Sequence, residues 1–414
     1  MIIEKIRIIG LFKYLNYEFN LNSGINVLHG VNGKGKTTIL NILTNILNGE
    51  LNKFYQLSFK EVEITFENDN YFKIYRGNGD EAKKVFFDHR FNNKLFEKKE
   101  ARNSNSVNAF LKRLNLNPLL LPAQRVSLEE TYYQEDFRPR GHHYRDEIYR
   151  EEMNIFQPDP KMIKIMNIKR ELIEKARRFS LHINRAFHTH DNILFEKFFE
   201  TIFLRKKQKN QNTTELSKQQ IEELKELKSF YFSKYKRFFK QSKILETIED
   251  HISSITEHNN DINIFLDLYS KNIEAKNKVI EKYLTPFLNF ETIINNLFDG
   301  KEIQISIESR IEGIFQIKTE GGDKIEIKHL SSGEKNLILI FFHFLFETDE
   351  KTFFMIDEPE LSLHIDWQYH ILKYFNEYSQ NNQIFVVTHS PDILQNFKEF
   401  EINLNKSKIQ VPNE

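Results

Sequence analysis

The glycine-rich segment at 30–37, GVNGKGKT, constrains the fold of this 414-residue chain more than any other feature. It matches the pattern G-x-x-x-x-G-K-T, and it lies between the apolar run INVLH and the helical pattern TTILNILTNIL. A turn at this position brings backbone N–H groups and the positive end of a helix dipole to one point. The segment therefore predicts a phosphate-binding loop, and an ordinary turn without a ligand is the alternative for the motif taken alone.

Two residues of this turn have side chains suited to separate tasks. Lys36 would place a positive charge between the β- and γ-phosphates, and Thr37 would offer its hydroxyl to Mg²⁺. We expect the following residues to bind the nucleotide: Asn32, Gly33, Lys34, Gly35, Lys36, Thr37 and Thr38.

The apolar run at 352–356 ends in two adjacent acids, Asp357 and Glu358. This pattern is typical of a buried parallel strand that delivers carboxylates to the ligand-binding edge of a sheet. Asp357 would hold Mg²⁺ through its water shell, while Glu358 would orient or deprotonate the attacking water. This division of labour predicts hydrolysis of ATP rather than nucleotide binding alone.

Four further segments accompany these motifs in a fixed order. They are Gln124 after LLLPA, LSSGE at 330–334, EPELSLH at 358–364, and a strand that ends before His389. Together with the motifs above, they resemble the ATPases of the ABC type, in the branch that contains SMC, RecF and OLD proteins. The resemblance covers the two ends of the chain strongly and the middle hardly at all.

The resemblance implies an ATP site shared between two copies of the chain. Heads of this family dimerise head to tail, so that the phosphate loop of one subunit faces the signature of the other. The signature residues here would be Ser331, Ser332, Gly333 and Glu334. A simple helix N-cap, formed by Ser331 or Ser332 with Glu334, is the alternative for this segment.

The resemblance also assigns roles to two residues outside these motifs. Gln124 occupies the place of the Q-loop glutamine, and it would join Thr37 and Asp357 as a metal ligand. His389 matches the switch histidine, and it would act in catalysis with Lys36 and Glu358.

Some positions depart from the pattern of transporter ATPases. His364 stands where transporters carry an aspartate, and this form is associated with OLD-like and bacterial defence ATPases. Phe12 and Tyr14 are the candidates for an aromatic residue that stacks on adenine.

Short β-rich runs occur at both ends of the chain, and helical patterns fill its middle. This distribution predicts an α/β fold in which the two ends form one domain. We expect a discontinuous ABC/RecF-like ATPase head, with a mixed sheet and P-loop, formed by residues 1–124 and 291–414. A mostly helical insert would cover 125–290, where amphipathic patterns rich in Lys and Glu dominate. No heptad pattern is long enough to predict an extended coiled-coil arm.

Composition narrows the classes of protein that fit. Lys+Arg and Asp+Glu are equal at 59 each, so no global charge attracts nucleic acid or an anionic membrane. The chain has no cysteine, which excludes disulfides and thiolate zinc sites and fits a reducing cytosol. Its longest apolar run falls short of the roughly 20 residues that span a bilayer. We expect a cytoplasmic protein without a membrane segment.

Two groups of residues have weaker interpretations. His142, His143, His188, His190 and Asp191 could bind a metal, but without further ligands at a recognisable spacing we interpret them as solvated or ion-paired. Basic and aromatic residues mix at 138–145, 169–178 and 234–240. A nucleic-acid surface is one interpretation of these segments, and the solvated face of amphipathic helices is the other.

We derive two functional hypotheses from these observations. The first is a homodimeric ATP-driven switch in a bacterial anti-phage or abortive-infection system, able to form a higher assembly and controlling a separate effector such as a nuclease or toxin. The switch hypothesis fits the presence of His364 at the end of EPELSLH, the form associated with defence ATPases. It also fits the 25 residues that follow His389 in this sequence, where related nucleases have a further domain. The alternative is a RecF/SMC-like repair ATPase that acts directly on DNA, and a transporter subunit ranks third.

Overall fold

The computed structural model describes residues 1–102, 105–123, 160–207, 260–306, 315–379 and 381–409. The chain divides into two compact units. The first combines Met1–Ile165 with Leu330–Glu414, and the second is Met166–His329. The second unit extends beyond the expected 125–290 insert at its C-terminal end because a strand pair after residue 300 belongs to it.

An antiparallel sheet of six strands forms one layer of the first unit. Its order is β2-β1-β4-β5-β6-β7. Buried and half-buried positions alternate along β4 and β5, which places one face of the sheet in the core. The strands are β1 (Ile3–Leu11), β2 (Leu15–Asn20), β4 (Glu61–Phe66), β5 (Asn70–Arg76), β6 (Val85–Phe91) and β7 (Lys94–Glu100).

A parallel sheet of five strands forms the second layer, in the order β13-β3-β12-β11-β8. All six residues of β11 and of β12 are buried, as the continuous apolar runs of their sequences predict. The α/β class is thus confirmed, with the strands divided between two sheets. The strands are β3 (Ile25–His29), β8 (Asn117–Leu121), β11 (Thr352–Asp357), β12 (Gln383–Thr388) and β13 (Glu401–Asn403).

Within the described ranges, four α-helices lie wholly in the same unit. α1 (Lys36–Leu47) buries Ile39 and Leu43 in a core to which both sheets contribute. On the parallel sheet, Phe354 of β11 contacts the rings of Phe344 and Phe375, which lie on two later helices. The remaining helices are α2 (Asn105–Leu114), α5 (Ser332–Phe346) and α6 (Ile365–Tyr378).

Gln383 joins the two sheets through its side-chain amide. Its Oε1 accepts from the backbone N of Ile3 at 2.9 Å, and its Nε2 donates to the carbonyl of Ile3 at 2.7 Å and to that of Asn22 at 2.8 Å. Since Gln383 begins β12 and Ile3 begins β1, this amide fixes the first strand of one sheet to the central strand of the other.

The second unit contains two long helices, α3 (Pro160–Lys207) and α4 (Asn260–Leu297). Phe179 contacts the rings of Tyr283 and Phe287, while Asn272 donates to the carbonyl of His190 at 2.6 Å. These contacts require an antiparallel pairing. Helices of this length, paired in this way, were not expected, since the sequence has no heptad pattern long enough to predict an extended arm.

The second unit also contains a small antiparallel pair, β9 (Lys301–Ile305) and β10 (Phe315–Thr319). Asn295 of α4 holds β9 by two hydrogen bonds with Ile303, at 2.6 and 2.9 Å. A tight turn at Gly322, whose φ is 86°, follows β10.

None of the helices in the described ranges combines the length and the apolarity that crossing a lipid bilayer requires.

His89 is an ionisable residue inside the aromatic core of the antiparallel sheet. Its ring lies 4.6 Å from the rings of both Phe96 and Phe110, and its Nδ1 is buried without a hydrogen-bond partner in the described structure. Burial lowers the pKa of His89 to about 4, and the charges of Lys99 and Arg113 add to this shift. The native protein therefore holds this ring in its neutral form.

The His89→Phe variant tests this assignment. Between about pH 6.5 and pH 4 the unfolded chain protonates His89 while the native protein does not, so lowering the pH destabilises the parent. As the pH is lowered from about 6.5 to about 4, the free energy of unfolding of the variant, relative to that of the parent, should rise by about 1–3 kcal/mol. Chemical denaturation at several pH values measures it, with the exposed His370→Phe as the control. A pH-independent difference would contradict the assignment.

Candidate nucleotide site

The phosphate loop has the backbone geometry that its sequence predicts. Gly33 and Gly35 have φ values of 75° and 78°, in the left-handed region that favours glycine. Gly35 caps α1, and among the described residues the helix start has no side-chain capping hydrogen bond. Tyr17 of β2 donates its hydroxyl to the carbonyl of Lys34 at 3.0 Å, which holds the loop from outside. The N–H groups at this helix start are thus suited to an anion.

Lys36 is buried, and its ammonium contacts residues from both ends of the chain. Nζ donates to the carbonyl of Gly30 at 2.6 Å and to that of Val31 at 3.2 Å. Its third contact, at 2.9 Å, is with Nδ1 of His389. An ammonium has three hydrogens, so this set of acceptors satisfies it completely.

The electrostatic surroundings of Lys36 have opposing effects. Burial lowers its pKa below the ordinary value for lysine. The negative charges of Glu358, Asp357 and Glu360 oppose this shift. The acidic residues at the end of β11 thus favour the charged form that a triphosphate requires.

His389 connects Lys36 to Glu358. Its Nδ1 faces the Lys36 ammonium, and its Nε2 lies 3.0 Å from Oε1 of Glu358. Because the Lys36 ammonium can only donate, Nδ1 of His389 accepts that hydrogen bond. Nε2 of His389 therefore carries the ring proton and donates a hydrogen bond to Glu358. One imidazole, in a defined tautomer, thus joins the lysine of the loop to the carboxylate that follows β11.

Asp357 lies at the end of β11, facing the start of α1. Its Oδ2 accepts from the Thr37 hydroxyl at 2.9 Å, while its Oδ1 is buried and has no hydrogen-bond partner within the described residues. Burial raises the pKa of Asp357 to about 6; the hydrogen bond from Thr37 opposes this shift and the nearby Glu358 adds to it. A buried carboxylate oxygen without a partner, next to a threonine hydroxyl, fits a divalent cation.

Glu358 has an unusual backbone. Its φ is 45°, and its N–H donates to the carbonyl of Val387 at 2.8 Å. A positive φ is rare for a residue with a long side chain, and such conformations occur where the surrounding structure imposes them. The chain turns here as soon as β11 ends, which directs the carboxylate toward His389.

Glu360 is a residue that the sequence analysis did not single out. Its Oε1 accepts from the Thr388 hydroxyl at 2.7 Å, from the backbone N of His389 at 2.8 Å and from that of Ser390 at 3.1 Å. The signal was available, because Glu360 is a third acid in the segment Asp-Glu-Pro-Glu. The motif gives the metal to Asp357 and the attacking water to Glu358, so the sequence alone indicates no role for a third acid.

The predicted signature begins α5. Ser331 and Glu334 form a reciprocal capping box: the Glu334 carboxylate accepts from Ser331 N at 2.7 Å, and Ser331 Oγ accepts from Glu334 N at 3.2 Å. A Cβ on Gly333 would lie 2.6 Å from the carbonyl oxygen of Ser362 and 2.7 Å from the ring of Trp367. Glycine thus permits α5 to pack directly on the loop after β11.

The structure places the expected site residues in two groups. The first lies around the carboxyl ends of the parallel strands and contains Lys36, Thr37, Asp357, Glu358 and His389. The second is the signature group at 331–334, whose Ser331 and Ser332 are exposed.

The other expected residues have less specific positions. Asn32 is exposed, Lys34 is half-buried, and Thr38 lines a cavity of about 220 Å³ beside α1. Phe12 lies against Gly35, since a Cβ on Gly35 would be 3.4 Å from the Phe12 ring. Both Phe12 and Tyr14 are exposed.

Several expectations concern residues outside the described ranges. They are Gln124, His142, His143 and the basic segments at 138–145 and 234–240. His188 is exposed, and among the described residues no group of three or more His, Asp or Glu side chains is arranged to hold a metal.

Comparison with curated proteins found distant relatives that match this chain over a short segment. Two Staphylococcus aureus sequences, one from strain MRSA252, carry the name "Uncharacterized chromosomal cassette SCCmec type IVc protein CR006". Each is 27% identical over 158 residues, which is 35% of this chain. The match spans only 22% of the length of these relatives.

Similar solved structures include the head domains of SMC proteins. One is the Smc head with an extended coiled coil bound to the C-terminal domain of ScpA, from Pyrococcus furiosus, with 14% identity, a TM-score of 0.40, and coverage of 95% of this chain and 91% of that chain. Another is the Smc head with a coiled coil and joint from Pyrococcus yayanosii, with 17% identity, a TM-score of 0.40, and coverage of 95% and 93%.

The family comparison covers nearly the whole chain. The family described as "AAA ATPase domain" matches residues 1–394, a range that includes the phosphate loop, the signature, the two acids and His389. The sequence-based expectation of an ATPase is thereby confirmed at the level of the family. The chain belongs to the AAA ATPase domain family.

Proposed function

We propose that this protein binds ATP and hydrolyses it with the help of Mg²⁺, using the residues at the carboxyl ends of β3, β11 and β12. The observation that carries the proposal is the continuous set of contacts from Lys36 through His389 to Glu358. β3 leads into the phosphate loop, β11 ends in Asp357 and β12 ends beside His389, so adjacent parallel strands deliver all these groups to one edge.

The loop and the cation ligands fit a magnesium triphosphate. Mg²⁺ bound here would neutralise phosphate charge as a Lewis acid. Thr37 and the partnerless Oδ1 of Asp357 are the described groups able to hold it. Since magnesium usually keeps waters and phosphate oxygens as ligands, two protein groups suffice.

Glu358 and His389 have the arrangement that activation of a water molecule requires. Glu358 would accept a proton from the attacking water, and the positive φ at this residue fixes the direction of its carboxylate. Before that transfer, a hydrogen bond from Nε2 of His389 would orient the Glu358 carboxylate. Lys36 would exchange its contacts with the loop carbonyls and His389 for the phosphate oxygens.

We propose further that the site is completed by the signature of a second copy. The capping box occupies Ser331 Oγ as an acceptor, which leaves its hydroxyl hydrogen to donate to a phosphate oxygen. Ser331 and Ser332 are exposed at the start of α5. The apolar side chains of Leu361, in the loop after β11, and Ile365, at the start of α6, are exposed as well. A homodimer in which ATP lies between the two heads would cover these groups.

The biological role that we propose is a switch in a bacterial anti-phage defence system. ATP would hold the heads together and hydrolysis would release them, which would control a separate effector such as a nuclease or toxin. The support is the sequence pattern from Asp357 to His364, of the kind found in defence ATPases. The balanced charge of the chain gives no support to the alternative of a DNA repair clamp.

The Glu358→Gln variant tests the proposed chemistry. It keeps the size of the side chain but removes the base, so ATP turnover should fall by about 100-fold or more while ATP still binds. The protein should then accumulate as a nucleotide-bound dimer, detected by light scattering after gel filtration. Glu347→Gln is the control, since that carboxylate contacts His343 outside the site. Turnover at the parent rate in Glu358→Gln would refute the assignment of the base.

Purified protein distinguishes the two biological roles. We expect ATP turnover without DNA, and co-purification with the product of a neighbouring gene when both are expressed together. DNA-stimulated turnover, with binding that weakens steeply as salt increases, would instead identify the repair clamp.

A further inference from the structure

Glu360 contacts the strand end that carries His389, and it does not contact the phosphate loop through any hydrogen bond found in the described structure. One of its carboxylate oxygens accepts three hydrogen bonds from three consecutive residues, Thr388, His389 and Ser390. Such charge-assisted bonds are stronger than neutral ones. The backbone that leads into and out of His389 is therefore fixed by a single carboxylate.

We propose that Glu360 is the positioning residue for His389 in ATP hydrolysis, an inference that depends on the function proposed above. In the structure the imidazole faces Lys36 at 2.9 Å and Glu358 at 3.0 Å. The proposed chemistry requires the contact with Glu358 to persist when a triphosphate replaces the contact with Lys36. A rotation of the His389 backbone would lengthen at least one of these distances. Glu360 prevents that rotation, because it holds the N–H of His389 itself and both flanking residues.

The surroundings of Glu360 place it between two parts of the proposed machinery. Its neighbour Leu361 accepts a hydrogen bond, at 2.7 Å, from Asn336 of α5, the helix that begins at the signature. The same loop packs on Gly333 through Ser362. Glu360 therefore connects the switch histidine to the loop on which the signature helix is packed.

Steady-state kinetics give the first test. Glu360→Ala should lower kcat for ATP by about 10- to 100-fold with KM changed by less than about threefold, because the loss affects the geometry of catalysis rather than nucleotide binding. Glu360→Gln keeps an acceptor oxygen without the charge, so it should retain part of the activity. Glu347→Gln serves again as the matched control and should leave kcat unchanged.

A double-mutant cycle separates positioning from a general effect on stability. If Glu360 acts through His389, adding Glu360→Ala to His389→Ala should lower kcat by less than about twofold further. If Glu360 only stabilises the fold, the two losses should multiply, which would overturn the inference. Where Glu360→Ala does not fold, the same cycle is run with Glu360→Gln.

The tautomer of His389 gives a readout that is independent of turnover. In nucleotide-free protein labelled with ¹⁵N-histidine, the signal that disappears in His389→Ala should show one tautomer, with the proton on Nε2. Glu360→Ala should shift that signal toward a mixture of tautomers, and Glu347→Gln should not. An unchanged His389 signal in Glu360→Ala would overturn the inference.

These results also separate the inference from the proposed function. Parent-rate turnover in His389→Ala would refute the proposed role of His389 itself. Impaired turnover in His389→Ala together with parent-rate turnover in Glu360→Ala would refute only the inference about Glu360.

Discussion

The buried ammonium of Lys36 is the interaction on which the arrangement of the site depends. A buried positive charge requires acceptors, and here they are two carbonyls of its own loop and an imidazole 353 residues later in the chain. The strand–loop–helix at the start of the chain can therefore satisfy its lysine only when the last parallel strands are in place. This requirement joins the two ends of the chain in one unit, although a separate unit lies between them.

The same lysine explains why the acids lie where they do. Asp357, Glu358 and Glu360 provide the negative charge that opposes the effect of burial on the Lys36 pKa. Each acid has a different partner in the structure. Asp357 accepts a hydrogen bond from the Thr37 hydroxyl, Glu358 contacts Nε2 of His389, and Glu360 accepts from the backbone N of His389. In the function proposed here, a triphosphate would replace the contacts of Lys36, and the effect would reach the signature helix through the loop after β11.

The sequence predicted those parts of the fold that local patterns determine. The phosphate loop, α1 and the buried strand before Asp357 each combine a periodic apolar pattern with a motif of known geometry, and all three were located correctly. The division of the strands into two sheets was not predicted, because it depends on contacts between residues far apart in the chain, such as Gln383 and Ile3. The antiparallel pairing of α3 and α4 was missed for a similar reason, since its contacts join residues far apart in the chain.

The candidate site could be predicted where side-chain chemistry was distinctive. Lys36, Thr37, Asp357 and Glu358 carry groups that phosphate and magnesium need, and their motifs fixed their positions along the chain. Glu360 could not be recognised in this way, because it acts on backbone N–H groups, and any residue can supply these. Its role depends on the contact between the turn after β11 and the end of β12, which only the three-dimensional structure shows.

The central claim is that Lys36 of one copy and the signature of another act on the same ATP. Mixing the Lys36→Ala and Ser332→Arg variants tests it directly, since Ser332→Arg blocks the exposed signature without removing the capping box. Each variant alone should be inactive, whereas an equal mixture should recover up to about a quarter of the parent turnover, because half of the dimers then contain one intact composite site. A mixture as inactive as its components would contradict the account, since a site formed within one polypeptide gains nothing from mixing.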